Sequence, residues 1–283
     1  MNYRELLMRS FSAAAICACS LLISQSSFAS STDYDSMSGV NSVMGGSFYV
    51  SGSYSPAFPA IASFDVREAD KEASYIKSYG KNLTVLNISD PLNFSQDGHP
   101  FKFAKSLLTS FDGATGYAIG GARVEVEASY KKFNTLAEGE YKNNDAPNLA
   151  AVVRDPVITA DNFFVLNIDK ITDISVMLNA CYDVLHTDLP VSPYVCAGLG
   201  ASFVDIAKHV TGKFAYRGKV GVSYQLTPEI SLIAGGYYHG IFDESYEGIP
   251  ASNHVRVEGD AKANIKANIA NYGFNLGAKF TFN

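Results

Sequence analysis

From Tyr216 to Gly240 the chain alternates apolar and polar residues with a period of two. Tyr216, Gly218, Val220, Val222, Tyr224 and Leu226 take one side, and Arg217, Lys219, Gly221, Ser223 and Gln225 take the other. Successive side chains of a strand point to opposite faces, so this is a ribbon with one apolar face and one cationic, polar face. Thr227-Pro228-Glu229 turns the chain where proline fits, because it presets a turn dihedral and cannot donate to a ladder. The return strand sets Ile230, Leu232, Ala234, Gly236 and Tyr238 against Ser231, Gly235, Tyr237 and His239, and Ile233 breaks the polar side.

The same pattern recurs. Gly46–Tyr54 predicts a first strand. Thr109–Ile119 and Ala122–Phe133 predict a hairpin around Gly120-Gly121, a two-residue turn signal. In its second strand Val124, Val126, Ala128 and Tyr130 oppose Arg123, Glu125, Glu127, Ser129 and Lys131. Asp173–Val184 and Pro193–Ser202 alternate as well. Ala270–Phe282 is the cleanest case, with Tyr272, Phe274, Leu276, Ala278, Phe280 and Phe282 opposite Asn271, Gly273, Asn275, Gly277, Lys279 and Thr281.

Eight strands result, and their connections run long, short, long, short, medium, short, long. The long and medium ones are 55–108, 134–172, 203–213 and 242–268. A soluble sandwich also alternates, but nothing in it requires the long connections to fall at one end. An outer-membrane barrel does: it pairs short periplasmic turns with long extracellular loops and frames its apolar band with aromatic girdles. Tyr216 and Tyr224 bracket such a band, and a tilted strand crosses the hydrocarbon in about 9–11 residues. The predicted fold is therefore all-β, a transmembrane antiparallel up-and-down β-barrel spanning 46–283.

Composition fits without proving it. The chain has 283 residues with 17 Tyr, 18 Phe, 23 Gly and no Trp. Its mean hydropathy of +0.03 hides a barrel, because inward polar residues cancel outward apolar ones. Lys plus Arg is 22 against 28 Asp plus Glu, so no basic stripe points to nucleic acid. Arg4 and Arg9 precede an apolar run from Phe11 to Ile23, and Ser27 and Ala29 place small residues before a cut after Ala29. Residues 1–29 read as a secretory signal peptide, and the Ser-, Asp- and Gly-rich 30–45 as a flexible tether.

Several stretches are specific when taken together: GGSFYVSGSYSPAFP at 45–59, SFDGATGYAIGGARVEVEASYKKF at 110–133, SVMLNACYDVLHTDLPVSPYVCAGLGASFVDI at 175–206, and 216–247. They resemble the surface antigen family of Anaplasma and Ehrlichia across nearly the whole chain. The resemblance implies a surface-exposed outer-membrane barrel that meets host or tick molecules and antibodies, with porin activity and adhesion assigned to relatives. It supplies no catalytic or ligand residues to carry over.

The residues themselves offer little chemistry. The mature chain keeps Cys181 and Cys196, which flank a turn; a disulfide between neighbouring strands and two buried thiols are both open readings. Ser78–Lys81 and Ser129–Lys132 match S-x-x-K, but neither opens a helix. Five scattered histidines lack metal-ligand spacing, no cofactor motif is present, and His239 beside Ser231 is the one acid–base pair to weigh. The expectation is a non-enzyme without cofactor. Its expected partners are outer-membrane lipid, host or tick surface components, and copies of itself or other surface proteins in an oligomer. The alternative is a porin, in which inward Arg123, Glu125, Glu127, Arg217, Lys219 and Lys279 line the lumen and the cations among them line a solute path. Against it stands size: side chains fill a barrel of about eight strands.

Overall fold

The computed structural model describes residues 46–69, 75–78, 101–136, 148–153, 163–184, 190–251 and 262–282. The expected signal peptide 1–29 and tether 30–45 lie outside the described residues. Thirteen strands follow in chain order: β1 (Ser47–Tyr54), β2 (Ala57–Glu68), β3 (Tyr75–Ser78), β4 (Phe111–Ile119), β5 (Ala122–Asn134), β6 (Leu149–Val153), β7 (Phe163–Asn167), β8 (Lys170–Asp183), β9 (Val191–Ile206), β10 (His209–Gln225), β11 (Ile230–Ile241), β12 (Ser245–Pro250) and β13 (Lys262–Phe282).

Eight of them close a ring in the order β1-β4-β5-β8-β9-β10-β11-β13, and β13 returns to β1. Every neighbour in the ring is antiparallel. Closure leaves no sheet edge, which is what a bilayer demands of a spanning sheet. Outward residues form an apolar band: Val126, Leu178, Leu199, Val220, Leu232 and Leu276 all point away from the barrel, Leu199 at 64% and Val220 at 61% exposure. Aromatics border it. On one side lie Phe48, Tyr117, Tyr182, Tyr224, Phe280 and Phe282, and on the other Phe111, Tyr130, Phe214, Tyr238 and Tyr272. A Tyr216-to-Tyr224 step of eight residues spans roughly 26 Å along the strand before tilt, the scale of an outer-membrane apolar band.

The register Phe48↔Phe282 puts both ends of the barrel on one rim. The Gly120-Gly121 turn and the connections 184–190 and 226–229 share that rim. All three long connections leave from the other. The connection read as 203–213 does not exist as a loop, however. β9 runs to Ile206 and β10 begins at His209, and they are joined by Ala207 and Lys208 alone, both at positive φ (49° and 65°). This is a tight hairpin carried well beyond the bilayer on long strands. Val204 and Ile206 stay buried there, because the barrel interior continues above the membrane.

The described parts of the other long connections form strands as well. β2 takes over from β1 and pairs with the upper half of β13, Phe58 facing Tyr272. β12 pairs with β13 on its other side, so 242–268 holds a strand and the start of β13 rather than a loop throughout. Within 55–108 and 134–172, strands β3, β6 and β7 form a separate three-stranded sheet. Its β6–β7 hairpin is buried, with Ala150, Ala151, Phe164, Val165 and Leu166 at zero exposure. Val152, Phe164, Leu166 and Ile168 pack against Ile171, Met177, Val204, Ile241, Ile265 and Ile269 of the extended barrel wall. An apolar stopper thus fills the outer half of the barrel.

Candidate functional site: the lumen and the outer rim

Below the stopper the lumen is ionic, and β5 sets it up. Its odd-numbered residues all face inward, so Arg123, Glu125, Glu127, Ser129 and Lys131 form one column, each buried. β10 faces it from across the ring with Arg217 and Lys219. The charges pair. Lys219 Nζ lies 2.6 Å from Glu125 and also contacts Glu127, which in turn accepts from Arg217. Arg123 Nε lies 2.7 Å from Asp183, and Lys131 Nζ 2.8 Å from Asp112. Neutral groups complete the network. Tyr49 donates to Glu125 at 2.6 Å, Asn179 Nδ2 reaches Glu125 at 3.1 Å and Glu127 at 3.2 Å, and Arg217 Nη2 donates to Ser129 at 2.9 Å and Ser175 at 3.1 Å. Buried charges persist only when paired, and each of these has a counter-charge, while Arg217 Nε, Asp183 Oδ1 and Asn179 Oδ1 lack a hydrogen-bond partner. Lys279 lies on the same inward side of β13 but outside that pairing.

Close approach is bought with glycine. A Cβ on Gly221 would meet the Ala234 carbonyl at 2.4 Å and the Tyr194 ring at 2.7 Å. The result is a filled interior. The open space among Arg123, Lys219, Asn275 and Lys279 amounts to about 30 Å³, room for one or two waters.

Cys181 and Cys196 stand directly opposite each other on β8 and β9, their Cα atoms 4.0 Å apart and their sulfurs bonded at 2.01 Å. They face inward beside Tyr194. Because both thiols are committed to each other, their approach to Glu125 offers no open ligand set for a metal.

His239 and Ser231, the acid–base pair weighed in the sequence, lie eight positions apart on β11 and do not meet. His239 Nε2 lies 3.0 Å from Ser202 Oγ of β9 and 3.2 Å from Asp173 Oδ2 of β8. A serine, a histidine and an aspartate do meet, but both partners address the same ring nitrogen and Nδ1 has none. A relay needs the carboxylate on one nitrogen and the hydroxyl on the other. His239, Ser202 and Asp173 are also fully buried beneath the stopper, out of reach of any substrate. Ser129 of the S-x-x-K match bonds Ser175 at 2.6 Å, and Lys132, three residues on, points to the opposite face. Ser78 lies in β3, and Lys81 falls outside the described residues. Sequence reasoning missed the Asp173–His239–Ser202 cluster because its members sit on three strands; only the register, with β10 between them, brings them together.

Comparison with known proteins identifies a family. The family whose members are described as surface antigens matches residues 40–282. Major surface antigen 4 of Anaplasma marginale is 62% identical over 282 residues, covering 100% of both chains. Among solved structures, Neisserial surface protein A aligns over 84% of this chain and 99% of its own at 19% identity, with a TM-score of 0.40. The outer membrane protein AlkL in lipid bilayers aligns over 89% and 97% at 14% identity, with a TM-score of 0.41. With a closed ring, an apolar outer band and its large connections on one rim, this chain belongs to the surface antigen family as an outer-membrane β-barrel exposed at the cell surface.

Proposed function

We propose that the barrel is a scaffold whose outer rim contacts host or tick components, and that it acts by adhesion and immune encounter rather than by chemistry. The observation that carries this reading is the rim asymmetry: 55–110, 135–169 and 242–261 all leave from the side opposite Phe48 and Phe282, the two ends of the barrel. Connections of this length in a compact domain are the usual carriers of function. The burial of Asp173, Ser202 and His239, which shuts that cluster off from substrate, favours a non-enzyme. In the same reading, residues 1–29 are removed on export, 30–45 tether the barrel, and Cys181–Cys196 is oxidised in the exported protein, which non-reducing peptide mapping tests directly.

The lumen argues against the porin alternative. A charged network fills its inner half and an apolar stopper its outer half. The test is binding of the barrel in lipid nanodiscs to host and tick cell surfaces, with empty nanodiscs as control and with conductance recorded in parallel in planar bilayers. Saturable binding blocked by antibody fragments against the outer rim, together with a closed bilayer trace, is expected. Binding no greater than that of empty nanodiscs, or steady open channels, would overturn the reading.

A further inference from the structure

Lys279 stands outside the charge pairing that fills the lumen. Lys131 is matched by Asp112, Lys219 by Glu125, Arg217 by Glu127 and Arg123 by Asp183. Higher up, Asp173 faces His239. Among the described residues no carboxylate lies within ion-pair distance of Lys279. Its ammonium instead lies 5.6 Å from the centre of the Tyr49 ring, and the Arg123 guanidinium lies 5.6 Å from that same ring.

Beside Lys279 is the cavity of about 30 Å³ already described, lined also by Arg123, Lys219, Asn275, Tyr194 and Ser51. Asn275 Nδ2 reaches the Tyr194 hydroxyl at 3.5 Å, while its Oδ1 has no partner. The carboxylates at this cavity, Asp112, Glu125 and Glu127, each already have a cation of their own. What remains is a half-buried ammonium with no carboxylate in contact, the paired Arg123 guanidinium nearby and a space of one or two waters.

We propose that this cavity is a binding site for a small inorganic anion of the size of chloride, held by Lys279 with Arg123 behind it. A half-buried ammonium with no carboxylate in contact is costly, and an ion in the adjoining space reduces that cost. The volume selects the class of ligand: a halide fits in a space of one or two waters, whereas sulfate or a carboxylate-bearing molecule needs more room. The position selects the side of entry. Lys279 is three residues from the end of β13, paired with Ser51 and Ser231, so the site opens toward the rim of short turns. The ion enters from the periplasm and goes no further, because the ionic network and the stopper lie above it.

The test is the line width of chloride NMR on the full barrel refolded in zwitterionic detergent. Saturable broadening is expected in the wild-type protein, reversed by bromide but not by an equal ionic strength of sulfate or acetate. Lys279→Gln weakens it at least about tenfold, the scale of one lost charge-assisted contact, and Lys279→Arg retains it. Should Lys279→Gln fail to fold, crystals of the wild-type protein in bromide give the same answer, through an anomalous peak in contact with Lys279 Nζ. No saturable broadening, equal reversal by sulfate, broadening unchanged in folded Lys279→Gln, or bromide peaks only elsewhere would each overturn the site.

Discussion

At the scale of single residues, the lumen holds ions in a space where none can be removed alone. Arg217 is 3% exposed, accepted by Glu127 and bonded to Ser129 and Ser175. Arg217→Ala leaves Glu127 with Lys219 as its one remaining cation, shared with Glu125, and strips two hydroxyls of a donor. The expected loss is about 3–5 kcal/mol, the cost of stranding a buried charge, read as a lower urea midpoint of the folded barrel in detergent. Combining Arg217→Ala with Glu127→Gln restores part of it, because the orphaned charge is then gone. A double variant no more stable than Arg217→Ala alone would mean that the pair does not act as a unit. Much of this column was legible in the alternation: Arg123, Glu125, Glu127 and Lys131 share one face of β5, and a closed barrel has only its interior for them. Which cation meets which carboxylate was not legible, because partners such as Glu127 and Arg217 lie 90 residues apart and meet only once the ring closes.

At the scale of elements, the strands that read well are those with one face in lipid and one in the lumen. Val220 lies midway between Tyr216 and Tyr224 on the outer face of β10, whereas Val210 lies on the same strand beyond the aromatic border. Val220→Arg is expected to cost about 2–4 kcal/mol and Val210→Arg at most about 1, when both are refolded into lipid vesicles and their unfolding compared. A soluble sheet would treat the two alike. The elements that did not read well are those without two distinct faces. β6 (LAAVV) and the FFVL run of β7 are apolar throughout because both their faces are buried in the stopper, so no alternation marks them. The β9–β10 turn escaped for another reason. Ala207 and Lys208 occupy the two positive-φ positions where Asn-Gly or Gly-Gly would announce a hairpin. Replacing the pair, Ala207→Asn with Lys208→Gly, is expected to stabilise the protein by about 1 kcal/mol, since left-handed backbone costs ordinary residues more. A measured loss of stability would place other contacts in control of that turn.

At the scale of the whole molecule, three features act together: an apolar outer band with aromatic borders, a lumen closed by charges below and by an apolar stopper above, and a folded outer rim. The band fixes the barrel in the membrane, and in the proposed reading the filled lumen weighs against transport. In the proposed reading, recognition falls to the rim from which 55–110, 135–169, the β9–β10 hairpin and 242–261 leave. All of this requires that the Ala207-Lys208 turn and the 226–229 turn, at opposite ends of β10, lie on opposite sides of the outer membrane. The direct measurement is labelling of single cysteines placed at Lys208 and at Thr227 by a membrane-impermeant maleimide on intact cells. Lys208→Cys should label at once, and Thr227→Cys only after the outer membrane is permeabilised; labelling of both on intact cells, or the reverse order, would contradict the orientation on which the account stands.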